Sequence, residues 1–90
     1  MVKLTGVLHK IGETDLKSEK FQIREFVITD NSFTKPQHIT MQFVQEKCDV
    51  LDSYEIGEHV QVEYELRGRL WEGKYYNTIQ ALNLKKVSKV

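Results

Sequence analysis

Ninety residues with 13 basic and 13 acidic side chains make one domain, residues 1–90, with a single core and little room for a deep catalytic cleft. A formal net charge of zero excludes a global field that would gather nucleic acid or an anionic membrane. The lone Cys48 excludes an internal disulfide and a cysteine metal cluster, and no apolar run reaches the roughly 18 residues of a membrane helix.

The N-terminus, "MVKLTGVLHKIGE", alternates polar and apolar residues and lacks the apolar stretch of a signal peptide, so a cytoplasmic location is expected. "VKLTGVLHKI" (2–11) reads as a strand in which Gly6 marks a bulge or sharp bend. "GETDLKSEK" (12–20) is polar around an isolated Leu16 and reads as a loop. "FQIREFVITD" (21–30) is rich in β-branched and aromatic residues and reads as the second strand. Its alternation slips at Arg24-Glu25: Phe21 and Ile23 fall on one phase, Phe26 and Ile28 on the other. A bulge there would bring all four to one side.

"NSFTKPQ" (31–37) is a turn, with Pro36 ending the pairing. "HITMQFV" (38–44) alternates, with Ile39, Met41 and Phe43 inward and His38, Thr40 and Gln42 outward. The period then changes. Val44, Cys48 and Leu51 make one stripe of a short helix, with Val50 and Tyr54 beside it, and Gly57 closes the segment. "HVQVEYELRGRLW" (59–71) has the strongest period-two signal, with Val60, Val62, Tyr64 and Leu66 on the inward side. Glu72-Gly73 predicts a two-residue hairpin turn. "KYYNTIQALNLKKV" (74–87) returns with Ile79 and Ala81 inward, and Leu84 and Val87 rejoin the core after a further bulge.

The element order is therefore β-β-β-α-β-β. Long strands interrupted by Gly6 and Gly68 suggest a closed, curled sheet. The fold expected is all-β: a five-stranded oligonucleotide/oligosaccharide-binding (OB) barrel with one short helix between strands 3 and 4, plugging one end. An SH3-like barrel is the alternative, and a full-turn helix at that position argues against it.

"LTGVLHKI", "REFVITD" and "SYEIGEHVQVEYELRGRLWEGKYYNTIQAL" resemble a family of short bacterial OB-fold proteins of uncharacterised function. The resemblance covers nearly the whole chain. More distantly, the chain is similar to bacterial single-stranded DNA-binding proteins and primosomal OB proteins, a likeness of fold that does not by itself carry function. It departs from single-stranded DNA-binding proteins in ending on the basic "NLKKVSKV" rather than a disordered acidic tail. A hub role through such a tail is therefore not expected.

Catalytic signals are weak. His9, His38 and His59 are scattered over three strands, and no metalloprotease, redox, nucleophile-elbow or phosphate-loop pattern occurs. Cys48 lies on the apolar stripe and reads as a small buried hydrophobe. No enzyme activity, metal or cofactor is expected.

Binding is better supported. Residues 41–66 hold seven acids against Lys47, whereas residues 67–90 hold six basic residues against Glu72. The second segment predicts a local cationic patch, against the alternative of ordinary solvated faces. OB barrels bind across strands 2 and 3 and between the 1–2 and 4–5 loops. Single-stranded nucleic acid needs rings for stacking and cations for phosphates.

The 4–5 hairpin supplies Trp71, Tyr75 and Tyr76 beside Arg67, Arg69 and Lys74. Strand 2 adds Arg24, strand 3 adds His38, Thr40 and Gln42, and the 2–3 turn adds Phe33 and Lys35. The 1–2 loop offers Lys10, Lys17 and Lys20, offset by Glu13, Asp15 and Glu19. The competing reading is structural: Trp71 pairs with Tyr76, and Arg69 stacks on the indole, to hold the hairpin.

Two functions follow. One is a non-catalytic OB module for single-stranded nucleic acid, DNA in the first instance. The other is an interaction module whose aromatic hairpin is buried against a partner, or in a homodimer or larger homo-oligomer. Open-barrel edge strands also invite dimerisation.

Overall fold

The computed structural model describes residues 2–32 and 34–87 of the chain. The elements are β1 (Val2–Ser18), β2 (Phe21–Asp30), β3 (Gln37–Val44), a 3-10 helix (Gln45–Ser53), β4 (His59–Trp71) and β5 (Lys74–Lys86). The strands close into a barrel of order β1-β2-β3-β5-β4, the expected OB architecture. β1 pairs with β4 through Val2–Val7 and with β2 from Val7 onward. β3 meets β5 in parallel at Gln42 and Gln80. The closed, curled sheet expected from the sequence is borne out, and only the exposed edge strands of an open barrel are corrected. Among the described residues, free ladder edges remain chiefly on the β1–β2 and β4–β5 hairpins. These run past the ring and stretch the molecule to 45 Å against 28 and 22 Å across.

Alternation builds the core. Leu8, Phe26, Ile28, Met41, Phe43, Val60, Val62, Ala81 and Leu84 meet inside the barrel. The Phe26 and Phe43 rings lie 5.3 Å apart between centroids and are near-parallel. Ala81 and Leu84 share this core although they are three residues apart. The β4–β5 register shifts so that Glu63 faces Asn83 and Tyr64 faces Ala81, leaving Leu82 as the bulge that the sequence requires.

The helix closes one end with Cys48 and Leu51 buried, as predicted, but it is wound as 3-10 rather than α. A three-residue repeat brings Cys48, Leu51 and Tyr54 into line. Tyr54 donates its hydroxyl to the Leu84 carbonyl at 2.8 Å. Burial pushes the Cys48 thiol pKa up, as suits an inert core side chain.

Four local expectations are corrected. Residues 12–18 are strand, not loop, and the β1–β2 turn is reduced to Glu19-Lys20. Both faces of this ribbon meet water, so no hydrophobic period marks it. Gly6 is not a bulge: its register with β4 is unbroken, and the bulges of β1 fall between Leu8 and Lys10, Ile11 and Thr14, and Leu16 and Ser18. Gly6 instead allows close approach, since a Cβ there would lie 2.5 Å from the Thr29 carbonyl oxygen.

The β2–β3 ladder is likewise unbroken at Arg24-Glu25. Phe21 and Ile23 therefore face outward while Arg24 takes the inward phase opposite Phe43. Finally, Leu66 is not buried. It is 76% exposed, because β4 has already left the ring at that point.

Candidate nucleic-acid interface

The "RGRLWEGKYYN" segment (67–77) forms the outer part of the β4–β5 arm. Its turn has φ of 49° at Glu72 and 77° at Gly73. Two successive positive values define the tight hairpin turn whose twist matches the flanking strands. From Tyr64/Ala81 to Trp71/Lys74 the ladder runs without a shift, so the two faces of the arm are well defined. The outer face carries Glu65, Arg67, Arg69, Trp71, Lys74, Tyr76, Thr78 and Gln80. The inner face carries Leu66, Gly68, Leu70, Tyr75, Asn77 and Ile79.

Arg69 and Tyr76 are direct cross-strand neighbours, and the guanidinium sits 5.7 Å from the ring centroid. This corrects the expectation that Arg69 stacks on the indole. Trp71 faces Lys74 at the tip of the arm and is 58% exposed. Tyr75 points away from this group, onto the inner face beside Leu70.

The outer face of the arm forms one wall of an open groove of about 690 Å³. Arg67, Arg69, Tyr76, Thr78 and Gln80 line that wall, Lys17, Phe21 and Ile23 line the facing side, and Gln42 lies between. Arg67 is ion-paired with Glu65, and Lys17 with Asp15 at 2.8 Å. The hydrogen bond and charge of Asp15 raise the Lys17 pKa, keeping it cationic. Among the described residues Arg69 has no carboxylate within ion-pair distance.

The structure thus brings Arg67, Arg69 and Tyr76 together in one groove, with Trp71 and Lys74 beyond them on the same face. It does not bring the others there. Arg24 reaches under the helix: its Nε donates to the Gly12 carbonyl at 2.8 Å, and its Nη1 to the Cys48 carbonyl at 3.2 Å and to Asp52 at 2.7 Å.

His38 lies four residues from Gln42 along β3, bonded to the Thr29 hydroxyl at 2.9 Å, with its ring 4.8 Å from that of His9. Lys35 is exposed in the β2–β3 connection, and Phe33 lies outside the described residues.

Phe21, Ile23, Thr78 and Gln80 are groove residues that sequence reasoning did not select for the site, whereas Lys17 was among the cations offered by the 1–2 loop. The signal was present as the slipped alternation of β2, which put Phe21 and Ile23 on the outward phase.

The comparison with known families decides the assignment. Residues 3–85 match the domain of unknown function DUF3127. The chain belongs to this family. No curated protein matches it in sequence. Among solved structures, this DUF3127 chain is similar to the dimeric N-terminal domain of PriB from Thermoanaerobacter tencongensis. The TM-score is 0.71 at 16% identity, over 98% of this chain and 96% of that one.

It is also similar to Rim1, a mitochondrial single-stranded DNA-binding protein from S. cerevisiae, with a TM-score of 0.67 at 13% identity over 99% and 98% of the two chains. A small single-stranded DNA-binding protein from Streptomyces coelicolor gives 0.58 at 11% identity over 96% and 92%. At these identities the shared property is the fold.

Proposed function

We propose that the groove between the β1–β2 hairpin and the β4–β5 arm binds single-stranded nucleic acid, DNA in the first instance, without catalysing a reaction. The observation that carries this reading is the meeting of two half-exposed rings, Phe21 and Tyr76, with Lys17, Arg67 and Arg69 around one open groove. An unpaired strand exposes the faces of its bases and one phosphate per nucleotide. Rings take the first and cations the second, and each stacked base contributes roughly 1–3 kcal/mol.

A duplex hides its base faces and gains only the cationic part. The zero net charge of the chain makes binding local to the groove, modest and salt-sensitive. Two of the similar solved structures are single-stranded DNA-binding proteins, which supports the choice of ligand.

Titration with oligothymidine tests the reading. Trp71, the only tryptophan, sits at the end of the same face and reports occupancy. Its fluorescence is expected to be quenched. With three groove cations the logarithm of affinity should fall with log salt at a slope of about −2, since each phosphate neutralised on a single strand contributes about −0.7. Unchanged fluorescence at low salt, together with no gel shift, defeats the proposal.

A further inference from the structure

We propose that the inner face of the β4–β5 arm is a seam between two copies of this chain. On that face Leu66, Leu70 and Tyr75 are 76%, 63% and 79% exposed. No charged residue interrupts the face from Leu66 to Ile79, whereas the outer face of the same arm carries Glu65, Arg67, Arg69 and Lys74. An exposed, largely apolar surface on a projecting ribbon marks an interaction site; the arm's part of it carries no charge, and Glu25 stands at its base. A partner that recognised it through ion pairs would find no counter-charge on the arm. A second copy presents an uncharged face of the same length, and a net charge of zero sets no long-range repulsion between copies.

The spacing of the residues suits a two-fold arrangement, in which the same patch meets itself. Gly68 lies midway between Leu66 and Leu70. Arms crossing antiparallel about Gly68 place the tip of one, Leu70 and Tyr75, over the base of the other, Leu66 and Ile79. At the crossing Gly68 carries no side chain, and the Asn77 carboxamide lies over it, with Oδ1 3.3 Å from where a Cβ would stand.

The base already holds a cleft of about 410 Å³, lined by Leu66, Ile79, Met41, Thr40 and Glu25. It would receive the partner's Tyr75 ring against Leu66 and Ile79. Thr40 and Glu25 supply acceptors for the phenol hydroxyl. Arg67, Arg69 and Tyr76 of the outer-face groove take no part in the seam, although the groove and the cleft share an edge at Gln42, Asn77 and Thr78, so the dimer would carry two ligand sites.

Sedimentation velocity of the full chain, over a concentration series into the tens of micromolar, tests the seam. The expected result is a dimer that Leu70→Glu and Tyr75→Glu each convert to monomer with an unchanged circular dichroism melt. A wild-type chain that stays monomeric throughout overturns the proposal, as does a dimer that survives both substitutions.

Should the charged variants fail to fold, a cysteine mixture decides. Chains carrying Leu66→Cys mixed in equal amounts with chains carrying Leu70→Cys should, on oxidation, form the mixed disulfide dimer almost exclusively, well beyond the 1:2:1 ratio of random pairing. Cys48 is buried and does not compete. A 1:2:1 mixture of the three products, or an excess of either homodimer, overturns the tip-to-base arrangement.

Discussion

The Arg69 guanidinium lies over the Tyr76 ring, 5.7 Å from its centroid, directly across the β4–β5 ladder. The contact does two things. It holds the ring in place on the outer face of the arm, and it keeps a cation beside a stacking surface in the groove. Tyr75, one residue earlier, faces the opposite way. Two adjacent tyrosines of equal composition therefore have separable roles.

Tyr76→Ala should weaken oligothymidine binding by about 5- to 150-fold, the equivalent of roughly 1–3 kcal/mol for one lost stack. Tyr75→Ala should leave it within about twofold, because that ring is not on the groove wall. Fluorescence titration of the two variants side by side checks this. Equal losses would place the ligand on both faces of the arm.

Arg24 should behave as a structural residue. It ties the Gly12 carbonyl of β1 to Cys48 and Asp52 of the 3-10 helix, and its side chain is 15% exposed against 67% for Asp52. Removing it leaves a carbonyl acceptor on each side without its donor. Arg24→Met should lower stability by about 2 kcal/mol, in the range for hydrogen bonds from a charged donor. Urea unfolding measures the loss. Oligothymidine affinity should not change, and a fall in affinity with stability intact would assign Arg24 to the ligand instead.

Gly6→Ala tests close approach against chain flexibility. The added methyl would lie 2.5 Å from the Thr29 carbonyl oxygen and 2.6 Å from Ile28 Cγ2, so β1 and β2 must separate where the barrel is tightest. A loss of about 1–3 kcal/mol is expected, as for overpacking elsewhere. Thermal unfolding should show it as a drop of several degrees. An unchanged melting temperature would mean that the β1–β2 spacing is readily adjusted.

Asp30 couples the β2–β3 connection to pH. Its carboxylate accepts bonds from the Ser32 hydroxyl at 2.6 Å and the Ser32 amide at 2.9 Å, and these hold its pKa below the usual carboxylate range. A depressed native pKa stabilises the fold fully above the ordinary carboxylate value. The contribution is lost as pH falls through the depressed value. Urea midpoints measured from neutral to acid pH should therefore fall less steeply in Asp30→Asn than in the wild type. Superimposable acid limbs would show that the bond to Ser32 is equally good in the unfolded chain.

Much of the barrel could be read locally. The bounds of β2 and β4, the Glu72-Gly73 turn, the Leu82 bulge and the burial of Cys48 and Leu51 all follow from short-range pattern. In each, one face of the element meets the core and the other meets water, so period and burial agree. The cationic and aromatic character of the β4–β5 arm was legible for the same reason: alternation puts Arg67, Arg69 and Trp71 on one face in any antiparallel hairpin.

The rest was settled by closure. Where the hairpins run past the ring, both faces are wetted. Residues 12–18 then lost any apolar period, and Leu66 kept an inward phase with no core to enter. Phe21 and Ile23 are apolar on the outward side because they line a groove whose other wall is about fifty residues away in the chain.

Sequence alone determined β2 to β5, the position of the helix and the chemistry of the arm, because those depend on neighbours a few positions apart. The tertiary structure decided which of those side chains share a groove. That depends on the three bulges of β1 and on the pairing of β1 with β4 and β3 with β5, contacts between distant segments that no local period encodes.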